Sequence, residues 1–577
     1  MKFKFLFRIR VVSALIFLFA LVLIGRLYSV QIVHGGAYSK QADRQYLRSQ
    51  NLSFERGAIF FNDRDGKAVR GASLQSGFTL AINPSRLTNL EETYQKLNTV
   101  VAIDRELFFT RAEKKDDPYE EIVHQLEDTH AKRIREMDLP GVSLYREEWR
   151  YYPGKSLASH VLGFLGFNEE GELGGQYGLE RYYDSILSRE DDRLYVNFFA
   201  EVFGSIDRIL SKQENRREGD LLLTIEPSVQ RMLESTLGDI QESWRSSETG
   251  AVIIDPETGG VFALGAVPNF DPNTFNEVDN PSYFSNPIVE RVYEMGSIIK
   301  PITLAIGLET GVIQEKSTYL DRGSIVVDGV SISNYDGVAR GEVPMQEVLN
   351  QSLNTGAITV AQKIGNDRFR DSLYEFGFGE ESGIDLPNEA SGLVDNLSSN
   401  RNIEYATASF GQGIALTPIA TVRALSALAN GGVLITPYVV KEIDYTFGLD
   451  HTRKPDRGTR VISEETSATI TRMLVKVVDE ALLQGSLSLP QYSIAAKTGT
   501  AQLAREDGSG YDDERFLHSF FGYFPAYEPR FLVFLYTLKP EGARYASETL
   551  TTPFMDIAKF LINYYDIPPD RSLQESL

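Results

Sequence analysis

The run Gly296-Ser297-Ile298-Ile299-Lys300-Pro301 contains the only Ser-x-x-Lys spacing in the chain. Three residues of helix return to one face, so Ser297 Oγ and Lys300 Nζ are expected to be neighbours. Pro301 would break a helix interior but is tolerated in a first turn. That puts Ser297 at a helix N-terminus, where the backbone dipole favours developing negative charge. A serine hydroxyl is a weak nucleophile until a base takes its proton, and a desolvated lysine near another cation is neutral enough to be that base. Two further polar sets occur downstream. Ser352-Leu353-Asn354 lies in a helical stretch, and Lys497-Thr498-Gly499-Thr500 lies on a strand candidate near the C-terminus. Lys-Thr-Gly occurs once, and its glycine is expected to let a ligand approach the strand backbone. Ser-x-Asn has rivals at Ser49-Gln50-Asn51 and Ser398-Ser399-Asn400, the latter in a polar loop where both residue types form turns.

Composition removes most other chemistries. The 577 residues include no Cys, so there is no disulfide, thiolate metal site or cysteine nucleophile. The six histidines (34, 124, 130, 160, 451 and 518) never pair at metal-ligand spacing, so no zinc hydrolase and no metal or cofactor is expected. Catalysis must run on Ser, Lys, carboxylates or Tyr. Lys and Arg total 58 against 80 Asp and Glu, a net charge of −22 that repels phosphate and argues against a nucleic-acid partner.

The elements that must position these residues are visible as patterns. Residues 221–237, LLLTIEPSVQRMLESTL, predict a short strand, a proline at a helix start and an amphipathic helix. Residues 250–267, GAVIIDPETGGVFALGAV, predict a hairpin about Asp-Pro-Glu-Thr-Gly-Gly. YSIAAKTGTAQ and HSFFGYFPAYEPRFLVFLYTLKP supply three more strands, with helical stretches such as MQEVLNQSLNTGAITVAQKIG and TPIATVRALSALANGG in between. Strands at both ends and helices between them predict an α+β domain with one sheet whose first and last strands meet. Earlier in the chain, residues 78–83 read as a strand and the charged run 113–137 as a solvated helix pair around Pro118. A polar zone at residues 189–220 reads as a domain boundary.

The three motifs, in this order and spacing, resemble those of the penicillin-binding protein and serine β-lactamase superfamily. RGAIFFNDRDGK (56–67) resembles the segment after the membrane anchor in class B, high-molecular-mass members, with extra residues between Ile59 and Asp63. RYYPGKSLASHVLGFLG (150–166) and GQYGLERYYDSIL (175–187) resemble pedestal segments of that family, and GQGIALTP (411–418) and ALANGG (427–432) the stretch between the second and third motifs. The resemblance implies a peptidoglycan D,D-transpeptidase in which Ser297 attacks the penultimate D-Ala carbonyl of a stem peptide, with Lys300 as general base. It implies that Ser352 relays the proton to the leaving amine and that Asn354 holds the substrate amide and contacts Lys300. Lys497 would bias Lys300 and attract the substrate carboxylate, which Thr498 and Thr500 bind beside Gly499. The backbone N–H groups of Ser297 and Thr500 would form the oxyanion hole, a donor being worth roughly 3 kcal/mol. β-Lactams would be trapped on the same serine. Arg56, His160 and Glu180, in the pedestal-like segments, are expected to be structural.

The N-terminal ten residues carry Lys2, Lys4, Arg8 and Arg10, followed by the apolar run VVSALIFLFALVLIG (11–25). At about 1.5 Å per residue this run reaches a ~30 Å hydrocarbon layer only if the helix continues to Val33 with Arg26 snorkelling. GRLYSVQ offers no cleavage site, so an uncleaved anchor is expected, its basic end cytoplasmic and its body outside the inner (cytoplasmic) membrane. The expected plan is a cytoplasmic tail (1–10), a single transmembrane anchor (11–33), an elongated α/β pedestal or dimerisation-type domain (34–220), a serine β-lactamase-like transpeptidase domain with an antiparallel sheet packed with helices (221–565) and a tail (566–577). The resemblance further implies inner-membrane partners, a cell-wall polymerase with division or elongation proteins. The division type fits the size, HSFFGYFPAYEP and GQGIALTP better. An elongation-type enzyme and a non-turnover β-lactam sensor remain alternatives. The Glu-x-x-Leu-Asn pattern of a hydrolysing lactamase is missing, because Glu347-Val348-Leu349-Asn350 is one residue short and precedes Ser352.

Overall fold

The structure is a computed structural model and describes residues 19, 55–168, 171–189, 218–446, 448–455, 458–485, 489–505 and 510–571. The expected cytoplasmic tail, all of the expected anchor but residue 19, residues 190–217 of the polar zone and residues 572–577 of the C-terminal tail lie outside that set. Among the described residues no helix is long and apolar enough to cross a membrane.

The chain divides into two compact units. The first is built on Leu74–Trp149. Its strands Glu120–Leu126 and Val142–Tyr151 pair with the later part of Ala68–Ile82, and helices Leu90–Asn98, Arg105–Ala112 and Asp128–Glu136 cover a core that includes Leu80, Ile82, Leu97, Phe108, Ile122, Leu126 and Ile134. The strand expected at 78–83 is present within Ala68–Ile82, with Phe78 opposite Leu126 and Ile82 opposite Glu120. The charged run 113–137 is not a helix pair. Its first half is the strand Glu120–Leu126 and only its second half is a helix. Ile122 and Leu126 are buried on the strand's inward side, a period-2 pattern that the surrounding charges masked.

The second unit comprises Gly57–Ser73, Arg150–Ser188 and Asn215–Leu577, so two segments from the expected 34–220 region fold with the later part of the chain. They do so by non-local pairing, with Ile59 and Phe60 parallel to Leu221 and Leu222. Arg150 Nε donates to Glu180 Oε1 at 2.6 Å and Arg150 Nη1 donates to Gly57 O at 2.7 Å, all in the interior. His160 is likewise buried, its Nε2 3.0 Å from Tyr283 O, and burial lowers its pKa to about 4. Arg56 is buried and partnered.

The centre of this unit is a five-stranded antiparallel sheet in the order Val261–Val267, Glu248–Ile254, Phe531–Leu538, Tyr511–Phe524, Ala495–Ala504. The first hairpin therefore meets the last strand, as expected. Both faces are covered, which is why strands such as FLVFLYTL read as unbroken apolar runs. On one face Ala251, Ile253, Phe520 and Val533 pack against helices Pro227–Trp244 and Thr551–Tyr564. On the other, Val252, Ile254, Phe521 and Phe534 join a larger core with the helices Lys300–Glu309, Pro418–Ala429 and Glu464–Lys476. Lys300–Glu309 is buried on all sides from Lys300 to Gly307, so it is a central helix and not an amphipathic surface one.

Glu234, on Pro227–Trp244, is a half-buried carboxyl whose Oε1 accepts from Ala158 N at 2.7 Å and Gln230 Nε2 at 2.8 Å. Burial outweighs these donors and pushes its pKa from 4.5 up to about 7. A carboxyl whose folded pKa is raised binds its proton more tightly in the native state, so stability falls as pH rises from the unfolded value to the folded one. Glu234→Gln keeps the acceptor and removes the titration. The loss of stability between pH 5 and pH 8, read by denaturant unfolding, should shrink by about 2–3 kcal/mol in this variant.

Candidate active site

Ser297 lies in a 3₁₀ turn, Gly296–Ile299, that runs directly into the helix Lys300–Glu309, with Pro301 in the helix's first turn. The turn is pressed against the strand Ala495–Ala504. Gly296 has φ +65°, and a Cβ there would stand 2.9 Å from Thr500 O; a Cβ on Gly499 would stand 2.3 Å from Ser519 Oγ and 2.8 Å from Met295 O. Glycine is required on both sides of the contact. Ser519, opposite Gly499 in the register, uses the space to donate its hydroxyl to Met295 O at 2.8 Å. Gly296 N donates to Gly411 O at 3.0 Å, tying the turn to the Gly-Gln-Gly loop as well. The reason for a glycine at 499 thus comes from within the chain: Ser519 Oγ, Met295 O and the Ile298 side chain occupy the space a Cβ would need.

Lys300 is fully buried at the start of its helix, and its Nζ donates to Ser352 O at 2.6 Å and to Ser352 Oγ at 3.2 Å. Lys497 is 2% exposed and reaches the same Ser352 Oγ from the strand, also at 3.2 Å, while donating to Thr498 O at 2.9 Å. One hydroxyl thus joins two amines whose residues lie far apart in the chain. Ser352 achieves this in the left-handed region, at φ +53°, which aims its carbonyl as well as its hydroxyl at Lys300. Such a conformation in a non-glycine residue costs on the order of 1 kcal/mol and persists where neighbours over-determine it.

Burial, and then the charge of Lys497, hold Lys300 well below the ordinary lysine range. Burial alone lowers Lys497, to about 7. The two amines therefore titrate as a pair in which Lys300 is the first to be neutral.

The other predicted residues are placed differently. No hydrogen bond joins Ser297 Oγ to Lys300 Nζ among the described residues; the amine is engaged by Ser352. Asn354 does not bond to Lys300 either: its Nδ2 donates to Ser333 O at 3.1 Å. It opens the helix Asn354–Ile364, whereas Ser352 precedes the helix in a left-handed turn. That helix start is held by an internal network in which Asp321 accepts from Thr355 Oγ1 at 2.8 Å and Asn334 Nδ2 at 3.0 Å. Thr498 and Thr500 are half-buried on the strand, and Thr500 Oγ1 accepts from Ala546 N at 3.1 Å. The rival Ser398-Ser399-Asn400 is a turn, with Ser399 Oγ accepting from Arg401 N, and Ser49-Gln50-Asn51 lies outside the described residues. Ser519, Ser333 and Gly411 were not singled out from the sequence. Only Gly411 carried a signal, its place in GQGIALTP.

Taken together, the geometry offers a serine on a turn fastened to the sheet, a buried amine whose charged form is disfavoured, and a hydroxyl within hydrogen-bond reach of that amine and a second one. That is the equipment of acyl transfer through a covalent serine intermediate. Residues 249–559 match the penicillin binding protein transpeptidase domain, and residues 52–221 match the penicillin-binding protein dimerisation domain. The chain is 32% identical over 538 residues to stage V sporulation protein D of Bacillus subtilis strain 168, covering 92% of this chain and 81% of that one. It is 25% identical over 563 residues to peptidoglycan D,D-transpeptidase FtsI of Escherichia coli K12, covering 95% and 90%. Penicillin binding protein 2X from Streptococcus thermophilus matches with a TM-score of 0.71 at 19% identity, covering 90% of this chain and 81% of that one. Penicillin binding protein 3 of Mycobacterium tuberculosis, solved with aztreonam, matches with a TM-score of 0.67 at 23% identity, covering 90% and 98%. The two solved structures establish the same α+β fold. With a dimerisation domain followed by a transpeptidase domain that spans more than half of its length, the chain belongs to the class B penicillin-binding proteins.

Proposed function

We propose that this protein is a peptidoglycan D,D-transpeptidase that cross-links stem peptides at the division septum through an acyl-enzyme on Ser297. The observation that carries the mechanism is Ser352 Oγ standing 3.2 Å from both lysine amines. Neutral Lys300 takes the Ser297 proton as Oγ attacks the penultimate D-Ala carbonyl carbon. The oxyanion is held by the N–H groups of Ser297 and Thr500. When the C–N bond breaks, Ser352 passes a proton from Lys300 to the departing D-Ala amine. The amino group of a second stem peptide then attacks the ester, gives up its proton along the same path, and Ser297 leaves with its hydroxyl restored. Lys497, Thr498 and Thr500 bind the terminal carboxylate, and Asn354 orients the peptide amide from the Ser333 side. A β-lactam enters at the first step and stays as the ester.

The septal role is supported by relatives named FtsI and by the resemblance of HSFFGYFPAYEP and GQGIALTP to division-type members. The partners that follow are an inner-membrane cell-wall polymerase and division proteins. The apolar run 11–25, continued to Val33 behind a basic N-terminus, supports a single anchor with the catalytic unit on the outer side of the cytoplasmic membrane.

Four experiments test these statements. Ser297→Ala should take up no fluorescent penicillin. Lys300→Arg keeps a charge that cannot be neutralised and should slow acylation by about 10³-fold or more, while Lys497→Arg, still able to pair with a carboxylate, should lose about tenfold. Equal rates for parent and Lys300→Arg, with unchanged melting, would place the base elsewhere. Protease added to intact spheroplasts should digest the chain beyond the anchor, and a protected C-terminus would reverse the topology. Depletion in the cells that make it should yield filaments with unfinished septa; rounded cells that still divide would assign it to elongation.

A further inference from the structure

We infer that Glu294 is a positioning residue for Ser297, setting the separation between the nucleophile turn and the Lys497 strand; this deepens the acyl-enzyme reading and rests on it. Glu294 stands three residues before Ser297, and its Oε1 accepts two hydrogen bonds, from Gly413 N at 2.9 Å and from Tyr511 Oη at 3.0 Å. Its Oε2 is buried and has no hydrogen-bond partner among the described residues. Burial raises the carboxyl above its ordinary value against the pull of both donors. A half-desolvated carboxyl with one idle oxygen is a poor way to fill space, since an apolar side chain would avoid the desolvation. What it supplies is one acceptor serving two donors from different elements.

Those donors locate the function. Gly413 belongs to the loop whose Gly411 O accepts from Gly296 N, so the turn and the loop exchange bonds in both directions, Gly296 to Gly411 and Gly413 to Glu294. Tyr511 begins the strand Tyr511–Phe524 and pairs in register with Ala504, at the end of the strand that carries Lys497 and Thr500. The same strand holds Met295 O through Ser519. The turn is therefore fastened to this hairpin at two places, by Ser519 behind Gly499 and by Glu294 through Tyr511. On the other flank Tyr293 pairs with Leu416 through its backbone and bonds to Glu248 through its hydroxyl. Deleting Glu294 would free one side of the turn while that flank stays fixed. The N–H groups of Ser297 and Thr500, which must face one oxyanion, lie on the two parts whose spacing would relax. Misplacement of that kind acts on the chemical step and spares initial binding.

The test uses the full chain and a fluorescent penicillin, with stopped-flow kinetics separating the dissociation constant of the first complex from the acylation rate constant. Glu294→Ala should lower the acylation rate constant by about 10- to 100-fold with the dissociation constant within about threefold of the parent. Glu294→Gln retains the acceptor at Oε1 and should recover to within about threefold, and Tyr511→Phe, which removes one donor, should fall between them. Parental acylation in Glu294→Ala would overturn the inference, as would a loss that Glu294→Gln does not recover. If Glu294→Ala melts early, Tyr511→Phe decides, and a parental rate there overturns it. A parent chain that takes up no penicillin would instead sink the acyl-enzyme reading itself.

Discussion

Two buried lysine amines share one half-buried hydroxyl, an arrangement that disfavours a charge on both at once. Lys300 and Lys497 are out of water and both are bonded to Ser352 Oγ. Each unit of pKa displacement corresponds to about 1.4 kcal/mol, so the desolvation imposed on this pair is stored as a difference between its protonation states. Burial here disfavours the charged form of an amine that in water would be fully charged. The rest of the structure serves this constraint: one amine comes from a helix, the other from a strand, and the shared hydroxyl from a strained turn between helices.

Holding such a pair requires walls that do not yield. The sheet is covered on both faces, and the helix that begins at Lys300 is buried over its first eight residues. Close packing of this kind resists small displacements, which is what a pair of desolvated amines needs. At the turn itself glycine stands on both sides of the contact, and the Ser519 hydroxyl fastens it by donating to Met295 O.

Sequence patterns failed where local and non-local preferences disagreed. Residues 113–137 are rich in charge and in helix formers, yet Glu120–Leu126 is a strand because a waiting partner at Phe78–Ile82 and an apolar interior reward alternation over propensity. The resemblance implies that Asn354 contacts Lys300, but its Nδ2 donates to Ser333 O, and the positive φ at Ser352 that turns its carbonyl to Lys300 leaves no mark in the sequence. Ser519 sits unannounced in an apolar strand, its role visible only once Gly499 is opposite it.

Much of the chemistry was nevertheless legible. Ser297 and Lys300 share one turn, and Lys497 and Gly499 one strand, so their spacing is a local property that residue order alone determines. The hairpin at 248–267, the three C-terminal strands and the helices between them follow from turn residues and from periods of 2 and 3.6, which are also local. What only the tertiary structure decided is everything that depends on distance through space. That includes the hydroxyl joining two amines, the acceptor of each buried donor, and the depth of burial that lowers both lysines. It also includes the membership of residues 57–73 and 150–188 in the second unit. The reason is physical: periodicity specifies which face of an element turns inward, but pairing and desolvation depend on which other element arrives there.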